Sequence, residues 1–292
     1  VNGSNIPPSG LIITADDFGA AAQVNAAVES AHREGVLGAA SLMVGGEAAT
    51  DAVERSRRLP RLRVGLHLVL VDGRPVLRPE EIPDLVGPEG WFRDDMVGAG
   101  FRFLLDPRAR RQLAAEITAQ FDAFAATGLH LDHVNAHKHF HLHPTIAGLI
   151  LKIGKPRGMR AVRIPVEPGR ALRQIEPGRD GGSQPVVDLW GALARRRFQR
   201  AGMLVPDQVF GLRWSGAMTA ERLLGLIGSL PPGLSEIYLH PATEGGFAGA
   251  ARGYRYAEEL AALTDPRVRQ AASHFPRGGF CDFAAAQPSG TA

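Results

Sequence analysis

The sequence predicts an α/β fold: a parallel sheet, open or closed into an irregular (β/α) barrel of about seven strands. Two observations predict it. Short apolar runs alternate with segments of helical period along most of the chain. The composition is that of a globular protein, with 45% hydrophobic and 22% charged residues over 292 positions. That excludes disorder as the dominant state and leaves enough chain for a large core. A prior of ~150 residues per domain suggests two domains, but barrels of ~250 residues fold as one.

The elements follow in order. Leu11 to Ala15 reads as a buried strand. Ala20 to Glu34 is helical, with Val24, Val28 and Ala31 on one face and Gly35 closing it. Ala39 to Val44 is a strand, Ala48 to Leu59 a helix and Val64 to Val71 a third strand. Asp72 to Asp106 breaks the rhythm with Pro75, Pro79, Pro83, Pro88 and many glycines, and predicts an insertion or lid. Pro107 to Thr127 is a long helix with Leu113, Ile117, Phe121 and Phe124 on one face. His130 to Ala136 is a strand, Pro144 to Lys155 a helix and Ala161 to Pro165 a short strand. Residues 166–185 are rich in Gly, Pro and Arg and read as a second insertion. Helices over 186–202 and 219–230, a strand from Ser235 to His240 and a helix from Tyr254 to Leu263 complete the pattern. The expected organisation is a flexible segment 1–10, one barrel domain over 11–275 and a tail over 276–292.

Charge and cysteine usage narrow the partners. Lys+Arg exceeds Asp+Glu by 33 − 30 = 3, and only Lys138, Lys152 and Lys155 are lysines. So small an excess gives no argument for nucleic acid. The single Cys281 excludes an intramolecular disulfide and a cysteine-rich zinc site. One thiol fits a reducing, cytoplasmic compartment. No apolar run approaches the ~20 residues of a membrane-crossing helix. Val1 to Gly10 lacks the basic-then-apolar pattern of a secretory leader.

In parallel α/β folds, sites form at the carboxyl ends of strands. Polar, metal-capable residues punctuate four of the apolar runs. Asp16 and Asp17 follow the first strand. One of them would serve as a helix N-cap on the ordinary reading, but two adjacent carboxylates exceed what capping needs. His67 lies in Gly65-Leu66-His67-Leu68, where a lone histidine is most often a satisfied core residue. His240 ends the last clear strand. The strongest signal is the histidine cluster. Six of the ten histidines lie between His130 and His143, and His137, His139, His141 and His143 alternate. In an extended chain such residues share a face, so their imidazoles converge. The tract is internal, unlike an adventitious tag. Imidazole and carboxylate without thiolate suit one divalent ion, Zn²⁺ first, with Mg, Fe, Co, Ni and Mn as the other candidates. A His₂Asp set leaves room for water and substrate, the catalytic pattern. Asp16 and His240 are then available as base and acid.

At these motifs the sequence resembles the YdjC/ChbG-like carbohydrate deacetylases. The matching stretches are Thr14-Ala-Asp-Asp-Phe-Gly19 with Asn25, Gly65-Leu-His-Leu68 with Gly73-Arg-Pro75, His137-x-His-x-His141, Arg163-Ile-Pro165, Pro206-Asp207 and Glu236-Ile-Tyr-Leu-His-Pro241. The resemblance implies a distorted, TIM-like (β/α) barrel related to polysaccharide deacetylases, and removal of acetyl from N-acetylated sugars. By it, Asp17, His67 and His137 match metal ligands, Asp16 the general base and His240 the general acid. Arg163 matches a residue orienting a catalytic carboxylate. His139, His141 and Asn25 match residues that contact substrate or support the ligands. The chain departs from the family in carrying Asn135 where an aspartate is usual, so a supporting carboxylate is either missing or supplied by Asp132. The texture looks closest to the hopanoid-biosynthesis-associated branch, which implies an N-acetylglucosaminyl hopanoid as substrate.

Two other functions compete. A metal-dependent phosphoesterase uses the same ligand types but holds two ions about 3.5–4 Å apart. A non-enzymatic metal-binding module would use the histidine tract alone, and leaves Asp16, His67 and His240 without a task. Peripheral membrane contact has its own trace: Arg195, Arg196, Arg197 and Arg200 beside Leu193, Phe198, Met203 and Leu204, with Phe101-Arg-Phe-Leu-Leu105 in the insertion. The ordinary reading of the first is a solvated arginine face, and of the second a lid core.

Overall fold

The computed structural model describes residues 10–176 and 185–284. Six strands form one parallel sheet: β1 (Gly10–Phe18), β2 (Ala39–Leu42), β3 (Arg63–Leu68), β4 (Val134–Ala136), β5 (Gln208–Phe210) and β6 (Leu234–Leu239). Their order is β4-β3-β2-β1-β6-β5. The described α-helices are α1 (Ala22–Glu34), α2 (Ala49–Arg57), α3 (Met96–Leu105), α4 (Pro107–Ala126), α5 (Pro144–Gly154), α6 (Gly169–Ile175), α7 (Pro185–Arg200), α8 (Ala220–Gly228), α9 (Tyr256–Thr264), α10 (Pro266–Ala272) and α11 (Phe280–Ala284).

The expectation of about seven strands is corrected to six among the described residues. The run Ala161 to Pro165 makes isolated bridges, Val162 to Val134 and Ala161 to Leu204, in place of a ladder. It still links the two sheet edges. Arg163 N donates to Val134 O at 3.1 Å beside β4, and Val209 N of β5 donates to Val166 O at 3.0 Å. β5 is absent from the sequence reading, because three residues between Pro206-Asp207 and Gly211 are too short to show a period. The first insertion is partly ordered, with a 3₁₀ turn at Pro79–Glu81 and α3. The second contains α6, while 177–184 lie outside the described residues, as do 1–9 and 285–292.

The alternation of strand side chains explains the interior. On β1, Leu11, Ile13 and Ala15 face outward into the main core with Val24, Val28 and Ala31 of α1. Ile12, Thr14 and Asp16 are the other set. Ile12 joins Ala39, Ala161, Leu204 and Phe280 in a small apolar cluster. Above it the same faces turn polar: Thr14 and Asp16 on β1, Ser41 on β2, His67 on β3, Asn135 on β4 and Glu236 on β6 are all buried. Phe280 of α11 is fully buried, so residues the sequence reading assigns to a tail pack beneath the sheet.

Candidate active site

β1 ends in a turn that separates two adjacent aspartates. Its pairing with β2 shifts register between Ala15 and Phe18. Asp17 adopts the left-handed region at φ 61°, and Gly19 follows at φ 93°. That conformation is uncommon for a residue with a Cβ and marks a position held by its surroundings. Asp16 therefore stays in the buried interior while Asp17 turns towards His67 and His137. Neither caps a helix: the N-cap of α1 is Ala21, without a side-chain bond.

Asp17 Oδ1 lies 3.3 Å from His67 Nε2 and 3.4 Å from His137 Nδ1. The three ligand atoms all lie within 4.8 Å of one another. Asp17 Oδ1 and His67 Nε2 are buried and have no hydrogen-bond partner. An unmet buried acceptor costs about 1–3 kcal/mol, and a cation between Asp17 and the two rings would satisfy it. A carboxylate oxygen and two imidazole nitrogens fit a divalent cation there. Burial works to raise the Asp17 carboxyl, but the rings of His137 and His67 hold it well below the usual carboxylate range. His67 Nδ1 donates to Asn135 Oδ1 at 2.7 Å, which leaves Nε2 as the nitrogen turned to Asp17.

Asp16 is held from two sides. Arg163 Nη1 donates to its Oδ2 at 2.5 Å, and Asn135 Nδ2 to its Oδ1 at 3.1 Å. Burial pushes this carboxyl up, and the Arg163 charge more than reverses the effect, so Asp16 is ionised across the neutral range. Arg163 is itself fully buried and also bonds Glu236 Oε1 at 2.9 and 2.6 Å. Thr14 Oγ1 donates to the same oxygen at 2.8 Å. The guanidinium lies 4.4 Å over the Tyr238 ring. Glu236 and Tyr238 are members of the site that sequence reasoning missed. Their signal was present: Glu236, Tyr238 and His240 alternate along the last strand, and alternate residues share its inner face.

The histidine cluster does not lie extended, which corrects the expectation of a shared face. Residues His137–Leu142 form a 3₁₀ segment broken by Lys138 at φ 52° and His139 at φ 55°. The turn sends each ring elsewhere. His137 faces Asp17. His139 Nε2 meets the Tyr238 hydroxyl at 2.8 Å, and His141 Nε2 donates to Arg163 O at 2.6 Å. Burial pushes the His139 ring well below its usual pKa, and the His141 ring down to about 4. His143 packs against Phe103 of α3 and Trp190 of α7. Lys138 pairs with Asp72.

His240 stands just past β6, its ring centroid 5.1 Å from that of Tyr254 and its Nδ1 buried without a partner. Its backbone N–H donates to Glu259 Oε2 at 2.5 Å. Asn25 lies behind the turn that carries Asp17. Its amide accepts from Gly19 N at 2.8 Å and donates to Ala48 O and Asp51 Oδ2, so it fastens the turn after Asp17. Asp132 is no replacement carboxylate: it binds the backbone of Phe280 and Cys281 beneath the sheet. Asn135 itself fills the place behind His67. A cleft beside Asp17 is lined by Met43, Val69, Arg74, Trp91, His137 and Phe247, with the Arg74 guanidinium 4.6 Å over the Trp91 ring.

Comparison with known proteins places the chain. The family described as YdjC-like protein matches residues 10–274. A carbohydrate deacetylase of Geobacillus stearothermophilus is 30% identical over 267 residues, covering 89% of this chain and 91% of that one. One from Brevibacillus brevis is 39% identical over 148 residues, covering 50% of this chain and 55% of that one, so this match spans about half of the relative. Among solved structures, a putative cellobiose-phosphate cleavage protein of Enterococcus faecalis V583 superposes with a TM-score of 0.72 at 22% identity, over 94% of this chain and 98% of that one. That likeness shows the fold. The match over nearly the whole described chain and the full-length relative make the chain a member of the YdjC-like family.

Proposed function

We propose that the chain is a metal-dependent hydrolase that removes acetyl from an N-acetylated amino sugar. The carrying observation is the convergence of Asp17, His67 and His137 within 4.8 Å. Relatives named carbohydrate deacetylase support the substrate class. Asp17, His67 and His137 hold one divalent ion, Zn²⁺ by donor chemistry. When bound, such an ion polarises the acetyl carbonyl and eases deprotonation of water. Asp16 accepts the proton of the attacking water, its carboxylate held in place by Arg163 and Asn135. His240 gives a proton to the departing nitrogen. A C–O bond forms and the C–N bond breaks, which yields acetate and a free amine. Trp91 and Phe247 offer flat apolar surfaces to a sugar ring at the mouth.

The test is Asp16→Asn. It keeps the metal and loses acetate release by about 10²–10⁴-fold, the usual scale of general-base catalysis. Full turnover in this variant overturns the base assignment. A two-ion phosphoesterase is less well supported, because among the described residues these three form the one group of His, Cys, Asp or Glu at metal-holding distance. A storage module leaves the Asp16–Arg163–Glu236 network without a purpose.

The finer reading is a lipid-carried sugar, an N-acetylglucosaminyl hopanoid, met at a membrane surface. Support comes from α3, where Val97, Phe101 and Leu105 are 69%, 61% and 77% exposed at helical spacing. Leu189 and Leu193 of α7 are also exposed, and both helices pack on His143. Arg196, Arg197 and Arg200 are exposed, whereas Arg195 bonds Pro206 O and Asp207 and leaves the expected basic face. Among the described residues no helix is long and apolar enough to cross a membrane. Sedimentation with anionic liposomes checks this: the chain pellets and a Phe101→Glu/Leu105→Glu variant stays in solution. Absence of pelleting by the unaltered chain overturns it.

A further inference from the structure

A buried line of hydrogen bonds runs from beneath the sheet to the candidate metal ligands. It starts at Asp132, which accepts from Phe280 N at 3.0 Å and Cys281 N at 2.8 Å. His133 Nδ1 meets Asp132 Oδ2 at 2.9 Å, and His133 Nε2 meets Ser41 Oγ at 2.9 Å. Asn135 Nδ2 donates to Ser41 Oγ at 2.9 Å and to Asp16 Oδ1 at 3.1 Å. Asn135 Oδ1 then meets His67 Nδ1 at 2.7 Å. Asp132, His133, Ser41, Asn135 and His67 are each at most 2% exposed.

The two carboxylate ends and the Asn135 amide set the directions along this line. Two backbone N–H groups already point at Asp132, so it accepts again from His133 Nδ1–H. The ring's other nitrogen, Nε2, meets the Ser41 hydroxyl. The hydroxyl lone pairs face Asn135, so the amide turns its NH₂ towards Ser41 and Asp16. Its oxygen is left for His67, which must carry its proton on Nδ1. The outcome is that Nε2 is the nitrogen aimed at Asp17. Asp16 at the far side imposes the same amide orientation, so both carboxylates agree.

The packing around the line is built for it. His133 stacks on Phe280 at 4.2 Å between ring centroids. The ring also lies against Gly65, where a Cβ would come within 2.5 Å of the imidazole. That gives the glycine of the Gly65-Leu66-His67-Leu68 motif a reason to be there.

We infer that Ser41, His133 and Asp132 are positioning residues: through Asn135 they set the tautomer and aim of His67 and the placement of Asp16. The inference rests on the proposed reading of Asp17, His67 and His137 as ligands. Ser41→Ala removes the central link. His133→Phe keeps the stacked ring and removes the acceptor. The control is Ser56→Ala, which deletes a buried hydroxyl bound to Val53 O at 2.8 Å away from the site. Zinc affinity is read by chelator competition, with kcat, KM and thermal melting beside it. Ser41→Ala and His133→Phe weaken zinc binding by about tenfold or more and lower kcat with little change in KM, the usual scale for groups behind metal ligands. Ser56→Ala lowers the melting temperature and leaves zinc affinity unchanged. Wild-type zinc affinity and kcat in folded Ser41→Ala or His133→Phe overturns the inference. Wild-type zinc affinity in His67→Ala overturns the ligand assignment instead, which keeps the two failures apart.

Discussion

Asp16 and Asp17 show how much one backbone angle decides. Two adjacent carboxylates are visible in the sequence, and so is their excess over a capping role. Their division of labour is not, because it depends on Asp17 entering the left-handed region at φ 61°. Arg163 was legible through its motif, but Glu236, which shares its guanidinium with Asp16, was not given a part. Fully buried charges that bridge two carboxylates leave both uncompensated when removed. Arg163→Met is therefore expected to cost about 3–5 kcal/mol, checked by urea denaturation. Cys281 gives a second prediction at this scale. Burial, with Asp132 close by, pushes its thiol up to about 12, so at pH 8 it is almost all protonated. Iodoacetamide is expected to label it slowly in the native protein and rapidly in denaturant; fast native labelling would contradict this placement.

At the level of elements, strands and helices were legible where they are long and periodic. α1, α4, α5 and α8 lie within a few residues of their sequence-based bounds. The histidine tract was legible as a ligand source but not as a shape. Alternation predicts an extended arm, whereas Lys138 and His139 reverse the chain into a turn that only tertiary contacts, to Asp72 and Tyr238, hold in place. β3 carries the prediction. Gly65 faces the His133 ring and backbone oxygen at 2.5 and 2.6 Å from any added Cβ, and His133 is hemmed in by Phe280. Gly65→Ala is expected to destabilise by about 1–3 kcal/mol through overpacking, read as a lower denaturation midpoint with an unchanged slope.

Across the whole molecule, the interior is apolar beneath and polar above. Ile12, Ala39, Ala161, Leu204 and Phe280 close the lower end, and the charged and histidine residues occupy the upper one. Parallel α/β alternation was readable from the sequence, and so was the gathering of Asp17, His67 and His137. The edge of the sheet was not: β5 and the bridged run at Ala161 are too short to carry a pattern, and α11 joins the fold through Phe280 alone among the fully buried residues of its segment. Asp132 ties that segment to the sheet and gives a pH prediction. Burial raises its carboxyl, but the His133 bond and two backbone amides bring it below the ordinary 3.8. A depressed folded pKa means stability that is present above about pH 4 and lost as pH falls through the folded value. Asp132→Asn is expected to flatten the loss of stability as pH falls below about 4, when denaturation midpoints are compared with the unaltered chain.

The central claim is that Asp17, His67 and His137 hold a single metal ion on which sugar deacetylation depends. Elemental analysis coupled to acetate release from N-acetylated sugars, including lipid-linked ones, tests it most directly. The expected result is one zinc per chain, acetate release that a chelator abolishes and zinc restores, and loss of both metal and activity in His67→Ala. Two ions per chain, or acetate release indifferent to the chelator, would contradict it.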